Sequence, residues 1–167
     1  GAPRRVLDLG CGAGRSLIPL AKAGHDVVGF DCNTASLDAC REGLGDTPAQ
    51  LFEVEFTSAW PDCGGPFDAM LCLGNTFMLV PDLDVAADLL RRCAQLLVDG
   101  GLIIIDDMPG EFLPEVQSGN WADGVSEDGM MQMLWAAEDD IFTIRSGPAV
   151  DESNWSFTSD DVQLRLW

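Results

Sequence analysis

Three glycines at alternate positions, Gly10, Gly12 and Gly14, follow the short apolar run Arg5-Val6-Leu7-Asp8-Leu9 and bracket Cys11. This is not the G-x-G-x-x-G spacing that cradles a pyrophosphate. Alternate glycines let the backbone turn sharply and pass against a ligand with no Cβ in the way, and amides at the start of a following helix favour a carboxylate. A nucleoside carrying an amino-acid tail suits such a loop better than a dinucleotide does. Asp31 closes the next apolar run, where one carboxylate accepts hydrogen bonds from two vicinal ribose hydroxyls. Glu55 is a third acidic residue, at the end of a third run.

Further candidates for chemistry are Asn75, Asp106, Asp107 and Glu111, all expected at the carboxyl ends of strands. Against a catalytic role stands a plainer one, in which Asp106 and Asp107 end a strand and cap a turn and Asn75 orders its loop. His25, the one histidine, falls in the turn Ala23-Gly24-His25-Asp26 at the opposite end and reads as a surface residue. The six cysteines, Cys11, Cys32, Cys40, Cys63, Cys72 and Cys93, form no C-x-x-C pair and imply reduced thiols and no metal site. Cys11 reads as packing rather than as a redox thiol.

Alternating elements are needed to bring these residues together. Arg5–Leu9 reads as a strand buried on both faces, Leu17 to Ala21 as a helix stopped by Gly24, Asp26–Asp31 as a second strand and Thr34–Leu44 as a second helix. A third strand is expected over Leu51–Phe56 and a fourth over Phe67–Leu73, with little room for a helix between them. A long helix over Asp82–Val98 carries the stripe Leu83, Ala86, Ala87, Leu90, Cys93, Ala94 and Leu97. It is expected to stop at Asp99-Gly100-Gly101, before a fifth strand, Leu102–Asp106. Such alternation implies a parallel sheet with right-handed crossovers.

Beyond Pro109 the pattern changes to short antiparallel strands, Met130–Ala137, Ile141–Ser146 and Val162–Trp167, separated by acidic turns. Residues 1–108 are therefore expected to form an α/β core and 109–167 an appended antiparallel region, serving as an acceptor side or an oligomer contact. Trp121, Trp135, Trp155 and Trp167 either form the core of that appended sheet or wall a pocket that cages a cation.

The 167 residues fit one α/β unit, and 28 acidic against nine basic side chains give a formal charge of −19 with no segregated basic face. Nucleic acid is disfavoured as a partner, and a small or cationic acceptor is favoured. No apolar run reaches the roughly 20 residues of a membrane span, and no secretory leader is read, so a cytoplasmic location is expected.

The ordered series VLDLGCGAG, GFD, CLGNT and LLVDGGLIIIDD resembles the successive motifs of class I S-adenosylmethionine-dependent methyltransferases, over Arg5 to Asp107. The resemblance implies a Rossmann-like, doubly wound, mostly parallel sheet of order 3-2-1-4-5 and S-adenosylmethionine as methyl donor. By it, Asp8, Gly10, Cys11, Gly12 and Gly14 surround the methionine part, with Asp8 reaching its amino group through the loop or a water. Asp31 holds the ribose, Cys32 and Asn33 line the adenine edge, and Glu55 lies near the adenine amino group with Phe56 beside the base. Leu73, Gly74 and Asn75 lie close to the sulfonium, and Asn75 or Asp106 is the candidate catalytic residue.

The segment after the fourth strand is also similar to small-molecule N-methyltransferases of the glycine/sarcosine type. There a histidine commonly follows the asparagine, whereas Phe77-Met78-Leu79-Val80 stands here. The family's closing helix and antiparallel strand pair, and the helices before its first strand, have no counterpart in this sequence, and a truncated or partly ordered form of a longer protein is expected. The implied activity is methyl transfer to a small molecule. The alternatives are a non-catalytic donor-binding or scaffold domain and, more weakly, a nicotinamide-dependent oxidoreductase.

Overall fold

Val6, Leu7, Asp8 and Leu9 are all buried, so the first strand has neighbours on both edges and layers on both faces. The computed structural model describes residues 1–107, 121–122, 124–136 and 140–167. In it β1 (Arg5–Leu9) pairs in parallel with β2 (Asp26–Asp31) on one side and with β4 (Phe67–Cys72) on the other. β3 (Gln50–Glu53) lies beyond β2 and β5 (Leu97–Ile105) beyond β4, giving the parallel order β3-β2-β1-β4-β5. This is the expected Rossmann-like order, and it puts the carboxyl ends of β1, β2 and β4 side by side.

Helices α1 (Leu17–Lys22), α2 (Thr34–Leu44) and α3 (Leu83–Leu96) make the crossovers. In α2, Leu37, Cys40 and Leu44 recur at helical spacing and are buried, with Leu37 and Cys40 packed in one cluster with Val6, Cys11, Leu17 and Val27. Each such fully buried leucine or valine contributes about 1.5–3 kcal/mol over leaving it in water. Asn33 caps α2 by accepting the Ser36 amide at 3.0 Å, and Asp82 caps α3 by accepting from Asp84 and Val85.

Three expectations need correction in this unit. The buried stripe of α3 is Ala86, Leu89 and Cys93, while Leu83 is exposed, so the helix is rotated relative to the expected face. Asp99-Gly100-Gly101 does not end the helix; it lies inside β5, which starts at Leu97. The pairing steps from Phe67↔Leu97 to Ala69↔Leu102, and the surplus residues of β5 are taken up there, with Gly100 at φ 77°. β3 also ends earlier than expected, which leaves Glu55 and Phe56 in the following loop.

The chain divides into two compact units, residues 1–77 with 82–106, and 78–81 with 107–167. The second holds β6 (Trp121–Ala122), β7 (Val125–Ser126), β8 (Met131–Trp135), β9 (Ile141–Ser146) and β10 (Leu164–Arg165) in an antiparallel sheet of order β10-β9-β8-β7-β6. Its apolar cluster is Met78, Met133 and Phe142, with Leu164 and Leu166 against it. Trp135, Trp155 and Trp167 are exposed and do not form that core, because one ends a strand and two lie outside the strands. The side chain of Trp121 lies outside the described residues. Buried polar groups pin the loop after β9. Arg145 donates from Nε and Nη2 to the two oxygens of Asp161, and further to the Asn154 and Ser156 carbonyls. Gln132 bonds the Asp151 amide and carbonyl.

Candidate functional site

The loop from Gly10 to Gly14 leaves β1 at its carboxyl end and is tied at once to β2: the amides of Gly10 and Cys11 both donate to the Phe30 carbonyl, at 2.8 and 2.9 Å. All three glycines have positive φ (72°, 53° and 86°), a backbone that L side chains rarely adopt. Their surroundings differ. A Cβ on Gly10 would lie 2.5 Å from Thr76 Cγ2, and one on Gly14 would lie 2.6 Å from Cys40 Sγ. Around Gly12 there is nothing within 4 Å, so of the three this is the glycine that faces open space.

Asp31 stands across from that open side. Its Oδ2 accepts from the Gly12 amide and its Oδ1 from the Asn33 amide, each at 2.8 Å. The half-buried carboxylate is thus oriented by backbone, and each oxygen keeps a lone pair for a diol. Cys32 and Asn33 follow it on the surface, with the Asn33 side-chain oxygen engaged as the α2 cap. Cys32 is the exposed cysteine of the six; slight burial and then the carboxylates of Glu55 and Asp31 hold its thiol above the ordinary range. Glu55 accepts from the Thr57 hydroxyl at 3.2 Å. Phe56 is buried, and its carbonyl accepts the Trp60 indole N–H. Trp60 and Phe52 both meet the Phe30 ring edge-on.

Asp8 lies beneath the loop at 3% exposure, and its Oδ2 has no hydrogen-bond partner. Burial pushes its carboxyl from the usual 3.8 up to about 7, with the Arg15 guanidinium opposing and Asp31 adding to the rise. Burial and the same Asp8 carboxyl hold the Cys11 thiol far above its usual range, which makes Cys11 an inert packing group.

Arg15, which the sequence reading passed over, is a charged residue at this end of the sheet. It is exposed and makes no ion pair among the described residues, and its Nη2 lies 3.2 Å from where a Cβ of Gly74 would stand. It therefore stands between the ends of β1 and β4. The helix start expected to attract a carboxylate is a weaker feature, since α1 has six residues and begins at Leu17. A cation placed directly after the third glycine was the available signal.

At the end of β4, Gly74 and Asn75 both take left-handed conformations, φ 80° and 61°. Asp106 Oδ1 holds them, accepting the Gly74 amide at 2.5 Å and the Asn75 amide at 3.0 Å, while Thr76 Oγ1 donates to the Leu73 carbonyl. The Asp106 carboxylate thus organises the turn that carries Asn75. Asp107 groups with the second unit, and Glu111 lies outside the described residues. His25 is engaged at the other end of the sheet, its Nδ1 accepting the Arg4 amide at 3.0 Å. Among the described residues no cluster of three or more metal-ligating side chains occurs, and no helix is long and apolar enough to cross a membrane.

The chain matches the family model for a methyltransferase domain over residues 6–101. It is 37% identical over 110 residues to a cypemycin N-terminal methyltransferase of Streptomyces sp., a match covering 65% of this chain and 44% of that protein. It is 35% identical over 108 residues to a ubiquinone biosynthesis O-methyltransferase of Caulobacter sp. strain K31, covering 60% of this chain and 39% of that one. The matched segment thus spans less than half the length of these curated relatives. Among solved structures, an S-adenosylmethionine-dependent methyltransferase from Clostridium acetobutylicum aligns with a TM-score of 0.68 at 19% identity, covering 98% of this chain and 67% of that one, a likeness of fold. With more than half its length matched by the family model, the motif series in order and the fold in agreement, the chain belongs to the class I S-adenosylmethionine-dependent methyltransferases.

Proposed function

We propose that the first unit binds S-adenosylmethionine at the carboxyl ends of β1, β2 and β4 and that the protein transfers its methyl group to a small-molecule acceptor. The observation that carries this reading is the open side of Gly12 facing a carboxylate, Asp31, already oriented by two backbone amides. The residues fit the donor part by part. Asp31 suits the ribose diol; Cys32, Asn33, Glu55 and Phe56 border the space for the base; Gly10 to Gly14 leave room for the tail; and Leu73, Gly74 and Asn75 form the turn nearest the reacting centre.

When bound, S-adenosylmethionine supplies a methyl group already activated on a sulfonium, open to in-line displacement by an acceptor lone pair. The protein's work is then alignment and exclusion of water. Asp106 fixes the 73–76 turn through two amides, and Asn75 presents its amide side chain from a constrained backbone. An amine acceptor needs only to arrive deprotonated, and the net charge of −19 concentrates cationic species around the protein. The names of the two curated relatives span an N-terminal and an O-acceptor, so the acceptor atom is a matter for a substrate panel.

Calorimetric titration with S-adenosylmethionine and S-adenosylhomocysteine, beside an Asp31→Ala variant, tests the donor site. Saturable binding that the variant weakens supports it, and a folded chain that binds neither would sink it. Turnover on a panel of amines, carboxylates and hydroxyls then separates an enzyme from a donor-binding domain.

A further inference from the structure

We infer that Trp60 and Arg92 are positioning residues for base selectivity: they fix the backbone turn 55–58, and through it the Glu55 carboxylate that accepts from the exocyclic amine of adenine. The inference deepens the donor reading above and rests on it.

No helix covers the stretch between β3 and β4, so the polar groups of its backbone must be satisfied one by one. Its first turn closes on itself, the Ser58 amide and hydroxyl both donating to the Glu55 carbonyl at 2.9 and 2.7 Å. Two side chains then hold the turn from outside. The Trp60 indole N–H donates to the Phe56 carbonyl at 2.6 Å, and the Trp60 ring meets the buried Phe30 ring edge-on, 5.3 Å between centroids. Arg92, from α3, donates to the Ser58 carbonyl and lies over the Trp60 ring, its guanidinium carbon 5.1 Å from the centroid. Arg91 beside it pairs with Asp88 on the exposed face of α3. Arg92, by contrast, is half-buried, makes no ion pair among the described residues and spans 34 positions to reach the turn.

The consequence falls on one peptide unit. The Phe56 carbonyl and the Thr57 amide share a plane and point opposite ways. With the carbonyl fixed on Trp60, the amide is aimed at Glu55 Oε1, 3.4 Å away, and the Thr57 hydroxyl donates to the same oxygen at 3.2 Å. The Cys32 thiol, at the end of β2, also hydrogen-bonds the Glu55 carboxylate. A carboxylate held in this way accepts from an amine and repels a carbonyl oxygen, so its placement separates adenine from a purine with a carbonyl in the amine's place. Trp60→Phe keeps a ring against Phe30 and removes the N–H. The Phe56 carbonyl then turns to water for a partner, the 56–57 peptide rotates with it, and the Thr57 amide leaves Glu55.

The test is calorimetry with S-adenosylhomocysteine and with S-inosylhomocysteine, in which a carbonyl replaces the exocyclic amine. The wild-type chain should prefer the adenosyl ligand by at least about tenfold. Trp60→Phe and Arg92→Met should each bring the two dissociation constants to within about threefold of one another, chiefly by weakening the adenosyl ligand. Glu55→Gln should abolish the preference, since its amide donates as well as accepts. Arg92→Lys, which keeps the charge but not the flat stack, should recover little of it. A general loosening of the fold weakens both ligands alike and leaves their ratio unchanged, so the ratio separates positioning from stability. Thermal melts without ligand identify a variant that does not fold, and the two positions are separate routes to the same turn. A wild type that binds both ligands equally, or folded Trp60 and Arg92 variants that keep its preference, would overturn the positioning while leaving the donor site intact. Absence of any binding would overturn the donor reading, and this inference with it.

Discussion

Asp31 and Gly12 are joined by a single hydrogen bond, Gly12 amide to Asp31 Oδ2 at 2.8 Å, which ties the loop after β1 to the end of β2. The same carboxylate accepts from Asn33, so it orders the loop and the start of α2 together. Asp31→Ala removes both acceptors and the diol contact, and donor affinity should fall about 10- to 100-fold. Asp31→Asn offers one acceptor oxygen and should fall in between. An alanine variant that binds the donor as the wild type does would show that Asp31 only orders the loop.

The three glycines should separate by experiment, because their surroundings differ. Gly14→Ala combines a left-handed backbone with a Cβ 2.6 Å from the buried Cys40 sulfur, and should cost roughly 2–4 kcal/mol of stability. Gly12→Ala meets nothing within 4 Å, so its cost should be the backbone penalty alone, about 1 kcal/mol, with donor binding the larger loss. Urea denaturation beside calorimetry measures both. Equal stability losses at the two positions would contradict the assignment of Gly12 to the ligand side.

What could be read from the sequence follows from the range of the interactions. The glycine loop and the strand that ends at Asp31 are set by near neighbours, and each announces itself by residue type. The start of β5 was hidden because Asp99-Gly100-Gly101 is a good helix stop locally, and pairing with Phe67 overrides it. The two-residue strands β6 and β7 carry no period to detect. The approach of Arg15 to Gly74 and the bonds of Asp106 to the 74–75 amides were not legible for one reason: they join distant parts of the chain.

Asp106 is a positioning residue in this arrangement. Asp106→Ala frees the Gly74 and Asn75 amides and should loosen a turn that holds two left-handed residues, whereas Asp106→Asn keeps one acceptor oxygen and should be milder. Asn75→Gly should leave stability nearly unchanged, and Asn75→Ala should lose about 1 kcal/mol because alanine tolerates a φ of 61° poorly. Thermal melts of the four variants check this order.

Cys32 offers a probe of the base end of the site. It is exposed while the other five cysteines are buried, so one thiol per chain should react readily with a thiol reagent in the native protein. Its raised pKa keeps the thiolate fraction small at neutral pH, and the rate should climb roughly tenfold per pH unit until the thiol ionises. Saturating S-adenosylhomocysteine should slow the modification. Unchanged kinetics with ligand bound would move the base away from Cys32.

The buried Asp8 carboxyl also sets how stability depends on pH in the absence of ligand. Its folded-state pKa, about 7, is above the ordinary 3.8, so the folded chain holds a proton that the unfolded chain has already lost. The resulting stability is present at low pH and disappears as the pH rises through 7. Between pH 6 and pH 9 the loss should be about 1.4 kcal/mol. Urea denaturation at those two pH values, on wild type and Asp8→Asn, isolates it, because the variant keeps every other titrating group and should lack this slope. A wild type and variant with the same pH dependence would mean that Asp8 is already ionised in the folded chain.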